Sequence, residues 1–177
     1  NAVARGLASK KTTTIGVVIP DISNPFFAEV VRGIEDIANM YHYSIILSNS
    51  DQRKEKELIL INTLLEKQVD GLLFMGGVVS DDHIEVLRTS NVPIVLSATN
   101  EKEHRFPSVD IDHTEAAKEA VQFLIDEGNR RVAMISGPLE DPNTGLARFN
   151  GYKQAMEANG LPWKEDWVRI GNYKYDS

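Results

Sequence analysis

The side chains that could do chemistry in this sequence are few and scattered. Cysteine is absent, so thiolate metal sites, disulfides and cysteine nucleophiles are excluded. The four histidines, His42, His83, His104 and His113, share no metal-ligand spacing. His113 lies near Asp110 and Asp112, a grouping that fits either a metal site or a solvated first helical turn; the second is the expectation, and no metal or cofactor is expected. No G-x-x-x-x-G-K phosphate loop, G-x-G-x-x-G dinucleotide turn or G-x-S-x-G nucleophile elbow occurs. The acid pairs Asp81-Asp82 and Glu140-Asp141 fall at helix starts or in loops, and no serine has a recognisable base beside it. Catalysis is therefore not expected. Two other features suit ligand binding. Phe26-Phe27 can stack on a ring or act as an apolar plug, and Arg148, after a glycine-bearing loop, can hold a ligand oxygen or lie on the surface.

The elements that must position these residues are legible from hydrophobic patterning. Thr14–Pro20 is a β-branched run suited to a strand buried on both faces. Asn24-Pro25 opens a helix, with Phe27, Val30, Val31, Ile34, Ile37 and Ala38 on one face. Tyr43–Asn49 is a second strand, and Asp51 is expected to cap a helix reaching Gln68. Further strands are expected at Asp70–Met75, Pro93–Ala98, Ser108–Ile111, Arg131–Ser136 and Trp167–Gly171. Helices are expected after Ser80, after Asp112 with Ala117, Ala120, Val121 and Leu124 inward, and after Gly145. This alternation predicts an α/β protein: an open parallel sheet with helices on both faces. Ligands of such sheets sit at the carboxyl ends of the strands, here the loops at 21–24, 48–51, 75–80, 98–101 and 137–145.

The 177 residues carry a net charge of −7. Residues 1–13 hold Arg5, Lys10 and Lys11 and no acid. The rest holds all 26 acidic side chains against 16 of the 19 basic ones, a net −10. A basic leader on an acidic body suggests contact with a polyanion at one end. No apolar run suits a membrane helix and no export signal opens the chain, so a cytoplasmic location without membrane contact is expected. The polar stretch 99–106 and the fresh strand start after it divide the chain into a leader, 1–13, a first lobe, 14–107, and the start of a second, incomplete lobe, 108–177.

The segments NAVARGLASKKTTTIGVVIPDISNPFFAEVVRGIEDIA, KQVDGLLFMGG, VDIDHTEAAKEAVQFLIDEG and SGPLEDPNTGLARFNGYKQAME resemble the LacI/GalR family of bacterial transcription regulators, over the whole chain. The resemblance implies the middle of such a regulator, without its helix-turn-helix and without most of its second lobe, on a periplasmic-binding-protein-like (type I) core. It implies that residues 1–13 are the hinge, with Leu7 as the apolar wedge entering the minor groove of operator DNA and Asn1 and Ala4 close to it. Such a wedge unstacks and kinks the duplex. It further implies an effector cleft with Arg148 as a ligand-holding arginine, Phe26 and Phe27 as cleft aromatics, and Ala98 where sugar- and purine-responsive members carry an aspartate. Alanine cannot accept bonds from sugar hydroxyls, which weakens selective recognition of a small sugar. That departure favours the catabolite-control branch, whose implied corepressor is the seryl-phosphorylated phosphocarrier protein HPr; a sugar phosphate or other small-molecule effector is a further candidate ligand. A homodimer is implied through the helices at 24–40 and 80–90, and operator binding is expected of the full-length protein only. A free sugar-binding receptor of the same fold and a doubly wound enzyme are the alternative classes.

Overall fold

In the computed structural model, residues 11–101 and 103–173 are described. The chain divides into two compact units after Asp110. In the first, strands β1 (Thr14–Ile19), β2 (Ser44–Asn49), β3 (Gly71–Met75), β4 (Ile94–Ser97) and β5 (Ser108–Val109) form one sheet. Their order is β2-β1-β3-β4-β5 and every pairing is parallel. Because β5 pairs with β4, Ser108 and Val109 belong to the first unit, just beyond the boundary expected from composition. Helices α1 (Pro25–Met40), α2 (Lys54–Glu66) and α3 (Asp81–Thr89) connect the strands.

Alternation along the strands divides the core into two layers. Val18, Leu72, Phe74 and Leu96 pack with Ile61 and Leu64 of α2 and Leu87 of α3. On the other face Val17, Ile19 and Met75 pack with Phe27 and Val31 of α1. The helix start predicted at Asn24-Pro25 is as read: Asn24 Oδ1 accepts the Phe26 N–H at 3.0 Å, and Pro25 needs no donor at the first helical position. The expected apolar stripe of α1 is only partly covered. Ile37 stays more than half exposed, because it borders an open apolar groove of about 790 Å³ lined also by Ile15, Ile34, Leu73 and Val95.

Asp51 does not cap α2. It has φ 56°, outside the helix, and pairs instead with Lys56 at 2.6 Å, while Arg53 occupies the cap position without a side-chain bond. A left-handed residue cannot take the extended backbone that an N-cap needs.

The second unit contains α4 (His113–Asp126), β6 (Met134–Ser136), α5 (Gly145–Ala158), a short 3₁₀ turn (Glu165–Trp167) and β7 (Val168–Ile170), with β6 and β7 parallel. Val121 and Ile125 of α4 pack with Tyr152, Ala155 and Met156 of α5. The buried line of α4 therefore differs from the expected one. His113, Val121 and Ile125 are inside, whereas Ala120 is exposed and Leu124 is 41% exposed. The reason is a close helix crossing at Gly151. A Cβ there would collide with the Thr114 carbonyl and lie 3.0 Å from Ala117 Cβ, so α5 seats against the 113–117–121–125 row.

Candidate functional site

In a sheet of order 2-1-3-4-5 the direction of winding reverses between β1 and β3, and the loops leaving these two strands diverge to opposite faces. The strand carboxyl ends of the first unit therefore form a natural ligand edge. Its residues are held by local chemistry. Asp21 accepts the Ser23 N–H at 2.8 Å and the Ser23 hydroxyl at 2.7 Å, which shapes the turn into α1. Gly76, after β3, has φ 70°, and a Cβ there would overlap the Pro20 ring, so the loop after β3 touches the loop after β1. Thr99 Oγ1 donates to the Gly77 carbonyl at 2.9 Å, tying the β4 exit to the β3 exit. Ala98 precedes it with φ 52°, a left-handed alanine whose N–H donates to Val109 O at 2.9 Å. Backbone in that region is costly for alanine and persists only where the surroundings impose it.

Phe26 and Phe27 are brought together edge to face, 5.1 Å between centroids, but they have different fates. Phe27 is buried in the core on the α1 face of the sheet, whereas Phe26 is 53% exposed at the first turn of α1. Stacking on a ligand ring is therefore open to Phe26, and Phe27 fills the plug role.

Beneath this edge lies a buried polar string that sequence reasoning does not assemble. His83 is fully buried, and its Nδ1 accepts the Ser80 N–H at 3.2 Å and lies 2.9 Å from Ser80 Oγ. With Nδ1 accepting a backbone donor, the ring proton belongs on Nε2. Nε2 is 3.1 Å from Glu57 Oε2, short but poorly aligned for a hydrogen bond, and Glu57 Oε1 accepts from the buried Ser50 hydroxyl at 3.3 Å. A serine–histidine–glutamate series is the outline of a nucleophile relay, and it supplies a base partner where none was expected. Here, however, Ser80 and His83 form a capping box, so the ring's acceptor is shared with a backbone N–H. The string joins the starts of α2 and α3, and Lys54 and Asp82 repeat that link at the surface with a 2.5 Å ion pair. The Lys54 hydrogen bond holds the Asp82 carboxyl below the ordinary aspartate range. Ser80 and His83 stand at capping-box spacing in the sequence, which was a usable signal; Glu57, on the preceding helix, carried none.

Glu101, also buried, closes the loop after β4. Burial pushes its carboxyl up, but the backbone N–H groups of Arg105 and Glu103 and the Arg105 guanidinium outweigh that and hold it below the ordinary glutamate range.

In the second unit the corresponding strand end is β6. Ser136 Oγ donates to the Gly145 carbonyl at 3.3 Å, and Asp141 accepts the Asn143 N–H at 2.9 Å and the Thr144 hydroxyl. Arg148 is half-buried on α5. Its Nε donates to His113 Nδ1 at 3.2 Å, and Nη2 is equally close. His113 is therefore neither on a metal-ligand cluster among the described residues nor in solvent: it is buried and orients the arginine. The Asp112 cap read from the sequence is present, accepting the Glu115 N–H at 2.9 Å. Phe26, Phe27 and Ala98 thus belong to the first unit and Arg148 to the second, while Asn1, Ala4 and Leu7 lie outside the described residues.

Residues 12–177 match the family described as periplasmic binding proteins and the sugar binding domain of the LacI family. The chain belongs to this family. Among curated proteins it is 56% identical over 177 residues to catabolite control protein A of Priestia megaterium, covering 100% of this chain and 53% of that protein. The crystal structure of the transcription regulator CcpA of Lactococcus lactis superposes with a TM-score of 0.80 at 40% identity, over 92% of this chain and 60% of that one. A complex of the transcriptional regulator CelR with cellobiose gives 0.81 at 27% identity, over 99% and 57%. The chain spans about half the length of the curated relatives it matches. The parallel architecture and the LacI-type core expected from the sequence are as read. Among the described residues no helix is long and apolar enough to cross a membrane.

Proposed function

We propose that this chain is the dimerising and ligand-sensing core of a LacI-type transcription regulator of carbon catabolite control. One observation carries the reading: 56% identity over all 177 residues to a protein named for catabolite control, about half of whose length the chain covers. In this reading residues 1–13 form the hinge that meets operator DNA through Leu7, Asn1 and Ala4. The two units, divided after Asp110, contribute two lobes of a cytoplasmic homodimer. The corepressor is seryl-phosphorylated HPr. Ala98 supports a protein corepressor over a small sugar, since a methyl group offers no acceptor at the β4 exit. No catalytic role is assigned to the Ser80–His83–Glu57 string, whose bonds serve the cap.

A sugar-responsive operon regulator is the second reading. The exposed Phe26 ring and the oriented Arg148 guanidinium favour it, as does the cellobiose held by the CelR relative. Titrating the full-length protein on a labelled catabolite-response operator separates the two. Seryl-phosphorylated HPr should tighten DNA binding at least about tenfold, roughly 1.4 kcal/mol of coupling. A panel of sugars and sugar phosphates alone should not. Response to a single sugar, with none to the phosphoprotein, would replace the first reading with the second.

A further inference from the structure

We infer that Asp70 is a positioning residue for DNA recognition, its carboxylate fixing Thr12 and Thr13, through which the basic leader joins β1. The inference rests on the reading of the chain as the core of a DNA-binding regulator and adds to it a residue remote from the hinge in sequence and at the opposite end of β3 from the ligand edge.

The observations lie at the amino ends of the strands, opposite the ligand edge. Thr12 N–H donates to Asp70 Oδ1 at 3.0 Å and Thr13 N–H to Asp70 Oδ2 at 2.8 Å. Thr12 Oγ1 donates to the Gln68 carbonyl at 2.9 Å. Asp70 returns the grip through its own N–H, which donates to Thr14 O at 2.8 Å. Two successive amides on the two oxygens of one carboxylate make a charge-assisted pair, and Thr13 at φ 53° curves the backbone so that both N–H groups converge. Thr12 and Thr13 are exposed and precede β1, so hydrogen bonds rather than packing hold them. The chain enters β1 through this fixed pair.

The placement also opposes simple electrostatics. A carboxylate beside a leader containing Arg5, Lys10 and Lys11 repels phosphate, and on charge alone its removal would tighten DNA binding. As an anchor, its removal weakens binding, because the freed residues must be ordered again on the operator. The two accounts differ in sign.

The test uses the full-length regulator and its operator in fluorescence anisotropy, with wild type, Asp70→Ala, Asp70→Asn and a core control, Ile61→Val, together with melting temperatures. Asp70→Ala should bind about tenfold more weakly, the cost of ordering one or two released residues. Asp70→Asn, neutral but with one acceptor oxygen left, should fall between. Ile61→Val should keep wild-type affinity despite a lowered melting temperature, which separates anchoring from stability. Amide exchange at Thr12 and Thr13, measured without DNA, should accelerate in both Asp70 variants. Unchanged or tighter operator binding by Asp70→Ala and Asp70→Asn, beside a wild type that binds, overturns the inference. Unchanged exchange overturns the anchor itself. A wild type that binds no operator overturns the functional reading instead, and the exchange rates then still decide whether Asp70 holds the leader.

Discussion

Glu101 shows how a single residue's role depends on its setting. Its carboxyl is buried yet held below the ordinary glutamate range by donors in its own loop, namely the Glu103 and Arg105 backbone N–H groups and the Arg105 side chain. A carboxyl whose folded value lies below its unfolded one stabilises the fold above the unfolded value, and that stabilisation disappears as the pH falls through the folded one. Glu101→Gln should therefore melt below the wild type at pH 7, and the gap should close as the pH drops below the ordinary value of 4.5. Thermal melts of both proteins across acid pH check this; a constant gap would mean that the amide itself, not the charge, is at fault. Arg148 depends on its setting in the same way. The sequence left open whether it held a ligand or lay on the surface, and its bond to His113 now shows a guanidinium with a fixed direction.

Contacts at element ends set the loops of the first unit. The loop after β3 works only because Gly76 takes φ 70° in contact with Pro20. Gly76→Ala should destabilise the first unit by about 2–4 kcal/mol, combining the left-handed penalty with overlap in a packed site. Denaturant unfolding measures it, and a loss under about 1 kcal/mol would show that the two loops separate easily. The buried string from Ser50 through Glu57 to His83 and Ser80 belongs to this scale too. It fixes the starts of α2 and α3 behind the ligand edge, so its contribution is the placement of loops rather than bond chemistry.

For the whole molecule, the candidate ligand residues are divided between the two units, with Phe26 and Ala98 in one and Arg148 in the other. Ile37, Met40 and Tyr41, on and after α1, are exposed apolar side chains on one helix, and a partner subunit packed there would cover them. The full-length protein is expected to sediment as a dimer at micromolar concentration. Sedimentation velocity finding monomer alone at high concentration would remove the homodimer from the proposal.

Much of this protein was determined by local chemistry and so was readable in the residues. Strand-and-helix alternation, the Asn24-Pro25 start, the Asp112 cap and the β-branched run of the first strand need only near neighbours to be decided. The family likeness was equally legible, because motifs such as KQVDGLLFMGG are contiguous. Contacts between residues far apart in the chain were not. Only the tertiary structure placed Glu57 on His83, Arg148 on His113 and Asp70 on Thr12 and Thr13, since each pair is joined by the sheet or by helix packing rather than by spacing. It also turned α4 to the 113–117–121–125 row, a rotation set by how closely Gly151 lets α5 approach. Periodicity says that a helix has an apolar side; the partner's shape decides which row of that side is buried.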